Sequence, residues 1–235
     1  MKHSPPAPPE LGTRDGLSYA LFLPDGDPLA GVVIVHGADS AKESHFDFAR
    51  NLRAAGMAAL AYDARGHGRS TGEFGPTAFG DVLSMCDLMR EHAPAVAIRG
   101  SSMGGWQAIH AAALDPSIAA VVAVCPASEE RLVRLMRDPG EEYEMRIDRE
   151  QAGRWVAEQD IFDAVTKLGP QTALLLLHAR GDERIPYTVS EELHAAAHEP
   201  KRLVIAPGGH HRSLQHDMEM QDLSRRFVLE AVRSG

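Results

Sequence analysis

Basic residues are in deficit in this chain of 235 residues, and cysteine is scarce: 24 Lys and Arg stand against 33 Asp and Glu, a formal net charge of -9, with two cysteines. The deficit argues against a nucleic-acid partner, because displacing counterions from phosphates needs a clustered Lys/Arg surface. Cys86 and Cys125 fall in segments that read as a buried helix face and a buried strand, where a thiol behaves as a small apolar group, and nothing supports a disulfide. No stretch approaches the ~20 apolar residues that span a bilayer, so no membrane span is expected. Residues Met1 to Glu10 are rich in proline and hold no apolar run that secretory machinery would recognise. The expectation is a soluble, cytoplasmic protein with an extended lead-in over residues 1–10.

What is there is enough apolar residue, 44%, to bury one large core, so residues 11–235 are expected to form a single α/β domain. Short β-branched runs alternate with longer stretches of helical periodicity, the pattern of a mostly parallel sheet with helices on both faces. Strands are expected at Leu17 to Leu23, Gly31 to Val35, Met57 to Tyr62, Ala95 to Arg99, Ile118 to Cys125, Thr172 to His178 and Arg202 to Ala206. Pro24 to Asp27 reads as a turn joining the first two into an antiparallel hairpin. Helices are expected near Glu43 to Ala55, Ala78 to His92, Ser102 to Leu114, Val189 to Ala197 and Leu214 to Val232. The segment from Pro126 to Pro170 far exceeds the usual connection of ~2 to 6 residues. Its apolar residues Leu132, Leu135, Met136, Trp155 and Phe162 suit a short helical cap that shapes a substrate pocket, or equally core.

Gly100-Ser101-Ser102-Met103-Gly104 stands between a strand and a helix. Chance supplies G-x-S-x-G in roughly one chain in ten of this length, so the setting carries the argument. A sharp strand-to-helix turn would strain the serine backbone and project its hydroxyl above the sheet, with glycines where a Cβ would collide. Ser102 is therefore the candidate nucleophile and Ser101 a turn residue. A serine hydroxyl needs a base to take its proton and a carboxylate to orient that base, in the order Ser, acid, His on such an elbow. Asp182 follows the strand Thr172 to His178 and is the expected acid, ahead of Glu183. The last strand runs into Pro207-Gly208-Gly209-His210-His211, and His210 is taken as the base with His211 as its alternative. Adjacent histidines rarely converge on one ion and zinc-type spacing is missing, so no metal is assigned to His210, His211, His216 and Asp217. The backbone amides of Met103 and Ala38 are the expected oxyanion donors, with His36 supporting the loop.

Val33-Ile34-Val35-His36-Gly37, Tyr62-Asp63-Ala64-Arg65-Gly66-His67-Gly68-Arg69-Ser70, the Ser102 elbow, Gly181-Asp182 with Ile185-Pro186, and Gly209-His210 together resemble the α/β-hydrolase superfamily across nearly the whole chain. The likeness is closer to the esterase and lipase-like branch that includes monoacylglycerol lipases, cinnamoyl or feruloyl esterases and serine aminopeptidase-like hydrolases. Thr71-Gly72-Glu73-Phe74 is particularly like the cinnamoyl esterase group, whereas His178-Ala179 departs from the usual His-Gly before the acid. The resemblance implies the α/β-hydrolase fold, no cofactor, and a small-molecule acyl ester cleaved through an acyl-enzyme intermediate. Thioesterase, amidase or aminopeptidase activity would use the same triad, and a non-catalytic ligand-binding protein on this fold is the reading from another class. A homodimer is compatible with the sequence.

Overall fold

Residues 7–138 and 145–234 are described in a computed structural model; residues 1–6 of the lead-in, residues 139–144 of the long insert and residue 235 lie outside the described residues. Eight strands pair into one sheet: β1 (Glu10–Arg14), β2 (Leu17–Phe22), β3 (Gly31–Val35), β4 (Ala58–Tyr62), β5 (Val96–Ser101), β6 (Ala120–Val124), β7 (Ala173–Ala179) and β8 (Lys201–Ala206). Their order is β1-β2-β4-β3-β5-β6-β7-β8. β1 pairs antiparallel with β2 and β2 antiparallel with β4, while every pairing from β4 through β3 to β8 is parallel. Every residue of β3, β4, β5, β6 and β7 is buried, which is why these strands read as continuous apolar runs rather than alternating ones.

The expected hairpin between Leu17 to Leu23 and Gly31 to Val35 does not form, because β4 lies between those strands. The hairpin is one step earlier, joining β1 to β2 through Asp15 and Gly16, both at positive φ (54° and 82°). That is the backbone of a two-residue type I′ turn, whose hand matches the twist of paired strands.

Helices cover both faces. α2 (Ala78–Arg90) and α3 (Met103–Leu114) bury Val82, Met85, Met89, Trp106 and Ile109 on one face. α1 (Phe46–Ala54), entered through a 3-10 turn at Lys42–His45, packs Phe48 and Leu52 on the other with residues of α9 (Met218–Ser234). The expected helix Leu214 to Val232 is broken into α8 (Ser213–His216) and α9, since the Asp217 carboxylate accepts from the amides of Glu219 and Met220 and starts a new helix.

The described part of the long insert folds into α4 (Glu129–Arg137), α5 (Arg149–Ala157) and α6 (Ile161–Thr166), before β7; α7 (Thr188–Ala196) lies between β7 and β8. Ser128, Asp148 and Asp160 cap α4, α5 and α6 with their side chains. Glu129 ties the insert down: one carboxylate oxygen accepts from Trp106 Nε1 at 2.6 Å and Ile161 N at 2.9 Å and lies 3.3 Å from His110 Nε2. Among the described residues no helix is long and apolar enough to cross a membrane.

Candidate active site

The carboxyl ends of β3, β5, β7 and β8 converge, where ligands bind in open parallel sheets. β5 ends at Ser101, and Ser102 turns the chain into α3 with φ 55° and ψ -118°. A non-glycine residue in this region carries strain of about 1–3 kcal/mol, sustained by its surroundings. Those surroundings leave no room for a side chain beside it. A Cβ on Gly100 would stand 2.0 Å from Gly104 O, and one on Gly104 would stand 2.2 Å from Val35 O. The turn is held by Ser102 N donating to Val124 O and by Ser102 O accepting from Trp106 N and Ala127 N.

Ser102 Oγ lies 2.9 Å from His211 Nε2, and His211 Nδ1 lies 2.8 Å from Asp182 Oδ2. A carboxylate only accepts, so Nδ1 carries the hydrogen and Nε2 accepts from the serine hydroxyl. The position expected for His210 is thus occupied by His211. His210 is exposed and turned into its own loop, with its amide donating to Ser213 Oγ and its Nδ1 accepting from Arg212 N. Gly209 at φ 87° ends the approach from β8, and a Cβ there would meet Ser213 Oγ at 2.4 Å. The His211 amide in turn donates to Glu183 Oε2, so the residue that competed with Asp182 as the acid instead anchors the base loop.

The Asp182 side chain is fully enclosed. Its Oδ1 accepts from Arg184 N and Ile185 N at 2.8 and 2.9 Å, and its Oδ2 faces both His211 and His178, the latter at 3.3 Å. Burial pushes its carboxyl up, but hydrogen bonds from His178, His211 and the Ile185 amide outweigh that and hold it well below the ordinary carboxylate range. The contact of His178 with the acid is not among the sequence-based expectations, and the His-x-x-x-Asp spacing is the signal available for it. Cys125, His178 and Asp182 bring ligand-type atoms within 4.8 Å of one another. Burial pushes the Cys125 thiol up, which works against the thiolate a metal requires. His211 and His216 diverge, His216 Nδ1 lying 3.2 Å from Asp47 Oδ2.

His36 supports the loop after β3. Its Nε2 accepts from Ala64 N at 3.0 Å, so Nδ1 donates to Gly37 O at 2.7 Å. Burial first, then the charge of His67, lowers it to about 4. The adjacent loop from Asp63 to Ser70 is built around a buried ion pair, Lys42 Nζ to Asp63 Oδ2 at 2.6 Å, with Lys42 N and Arg69 N donating to the same carboxylate. Gly68 stands so close that a Cβ would fall 2.3 Å from the Asp63 carboxyl carbon, which accounts for the glycine there.

A cavity of about 360 Å³ opens at Ser102, with Gly37, Ala38, Ala127, Ile185 and His211 in its wall. The Met103 amide is the first of α3 and has no acceptor within the helix. Of the five apolar insert residues, Leu132 and Leu135 line the cavity, while Met136, Trp155 and Phe162 do not. Met136 is buried in the core, and Trp155 packs edge-on against Phe74 and Trp106 and at a tilt against Phe79, on the α3 side of the sheet. Phe162 is half-buried against the same core. Helical spacing alone could not separate the two groups, because α4 presents one face to both core and cavity.

A family model described as "Serine aminopeptidase, S33" matches residues 26–143. The uncharacterized protein YfhR of Escherichia coli O157:H7 is 25% identical over 241 residues, covering 95% of this chain and 80% of YfhR. Human monoglyceride lipase is 34% identical over 128 residues, 50% of this chain and 42% of the lipase. Among solved structures, Est1E from Butyrivibrio proteoclasticus superposes with a TM-score of 0.77 at 20% identity, covering 97% of this chain and 100% of Est1E.

Proposed function

This chain belongs to the serine aminopeptidase S33 family, an esterase and lipase-like branch of the α/β-hydrolases, and on that basis we propose that it cleaves a carboxylic ester through an acyl-enzyme intermediate. Ser102 is the nucleophile, His211 the general base and Asp182 the group that orients it. The observation that carries this reading is the unbroken chain of contacts from Ser102 Oγ to His211 Nε2 at 2.9 Å and from His211 Nδ1 to Asp182 Oδ2 at 2.8 Å.

As Ser102 Oγ attacks the substrate carbonyl, its proton passes to His211 Nε2, while Asp182 stabilises the imidazolium without taking a proton. The carbonyl oxygen becomes an oxyanion and meets the amides of Ala38 and Met103. Each such donor typically lowers the barrier by about 3 kcal/mol. Nε2–H then protonates the departing alcohol, leaving the acyl group on Ser102. Water enters and attacks the acyl carbon as its proton passes to Nε2; the second tetrahedral intermediate then collapses, Nε2–H returning the proton to Ser102 Oγ as the acid departs. A cavity of about 360 Å³ is near the small end for ligand sites, which favours short acyl groups, with Leu132 and Leu135 beside them.

Labelling by a fluorophosphonate probe tests the reading. The expected result is rapid modification of the native protein and none of Ser102→Ala. Failure of the native protein to label, or equal labelling of the variant, overturns the assignment and favours a ligand-binding protein on the hydrolase fold.

A further inference from the structure

The chain as a whole is acidic, with a formal net charge of -9, yet among the described residues lining the cavity at Ser102 basic side chains outnumber acidic ones. Arg131, Arg184 and Arg212 line it, and among its described lining residues Asp39 is the single carboxylate. The three arginines come from three separate elements: Arg131 from the first turn of α4, Arg184 from the loop that carries the acid, and Arg212 from the loop that carries the base. On the same helix, Arg134 is neutralised by Glu130 at 2.7 Å. Arg131 and Arg212 have no such ion pair among the described residues. Arg131 is half-buried, so its charge is screened less than that of a fully exposed side chain, whereas Arg184 pairs with Glu183 at 3.7 Å.

A guanidinium presents a planar fork of donors that matches a carboxylate, and arginine recurs where such groups are recognised. Resting on the ester-hydrolase reading above, we propose that the natural substrate is an anionic ester, carrying a free carboxylate a few bonds from the scissile carbonyl. Arg131 and Arg212 hold that carboxylate, and Leu132 and Leu135 pack against the short carbon chain between the two ends. The same charges disfavour a substrate with a free α-ammonium group, the group that an aminopeptidase must accept. Binding at a site remote from the reacting carbonyl positions the ester against Ser102, so its effect is read in kcat/KM.

The test compares two p-nitrophenyl esters of matched length, the neutral valerate and the anionic half-ester of glutaric acid, each corrected for spontaneous hydrolysis. The glutarate half-ester is expected to show at least a tenfold higher kcat/KM at low ionic strength, with the ratio falling as salt is added. Arg131→Gln and Arg212→Gln should each lower that ratio severalfold, whereas Arg134→Gln, on the paired outer face of α4, should leave it unchanged. A valerate rate equal to or above the glutarate rate overturns this inference while leaving the ester-hydrolase reading intact. So does a glutarate preference that survives both cavity substitutions. Turnover of neither ester overturns the ester reading and this one with it.

Discussion

His178 Nε2 lies 3.3 Å from the same Asp182 oxygen that His211 Nδ1 reaches at 2.8 Å. His178 is fully buried, its Nε2 is also 3.0 Å from Ile185 O, and its Nδ1 is 2.7 Å from Ser190 Oγ. A carbonyl only accepts, so Nε2 carries a hydrogen and can donate toward Asp182. The carboxylate is therefore steadied from β7 as well as from the backbone of its own loop.

His178→Ala should accordingly lower kcat/KM about tenfold and destabilise the fold by about 2 kcal/mol, the scale for breaking a buried hydrogen bond to a charged group. Steady-state kinetics and urea unfolding on the same preparation read the two effects. An unchanged kcat/KM would remove His178 from the positioning of Asp182.

The two adjacent histidines should behave very differently. His211→Ala is expected to lose about 10⁴-fold in kcat, as removal of a triad member does. His210→Ala should stay within about threefold of the native rate, since its contacts are with Arg212 and Ser213 alone among the described residues. A reversed pattern in ester turnover would return the base to His210.

Glu129 bears on stability rather than on chemistry. Glu129→Ala removes the acceptor of the fully buried Trp106 indole and of the Ile161 amide, and should destabilise the protein by about 3 kcal/mol. Urea unfolding followed by tryptophan fluorescence measures this directly. A loss under about 0.5 kcal/mol, the range of ordinary surface changes, would contradict the assigned role.

Acid should weaken the fold through His36 before it reaches the carboxylates. The folded-state value of His36 is about 4, against 6.5 unperturbed, so the unfolded chain binds more protons across that interval. Stability from this group is intact above pH 6.5 and declines as pH falls toward 4, by about 1.4 kcal/mol per pH unit inside the window. His45 and His67 are lowered as well, each first by burial, and act in the same direction. Denaturant unfolding at pH 7 and pH 5 should show the decline, and His36→Gln should flatten it. A pH-independent unfolding free energy across this range would refute the linkage.

The legible features were those whose signal is local. Ser102 could be found because an apolar strand, a glycine-flanked turn and a helix are contiguous in the chain, and its strained backbone follows from that succession. The inner strands were legible because burial on both faces demands unbroken apolar runs. β1 was missed although Asp15-Gly16 is a strong hairpin signal, because the edge strand Glu10–Arg14 has one buried side at most and lacks such a run. Trp155 and Leu132 looked alike as apolar insert residues; only packing sent one to the aromatic cluster with Trp106 and the other to the cavity wall.

By itself the sequence determined the alternation of strand and helix, the elbow at Ser102, the loop of Asp182 and the loop of the base, since each depends on neighbours a few residues away. Tertiary structure decided the rest: that β4 separates β2 from β3, that His211 rather than His210 meets Ser102, and that three arginines from distant elements face one cavity. Those outcomes depend on where residues 109 positions apart come to lie, as Ser102 and His211 do. A one-residue step along a loop turns a side chain to another side, and the direction is settled by the partners on the opposite wall, Asp182 and Glu183 here.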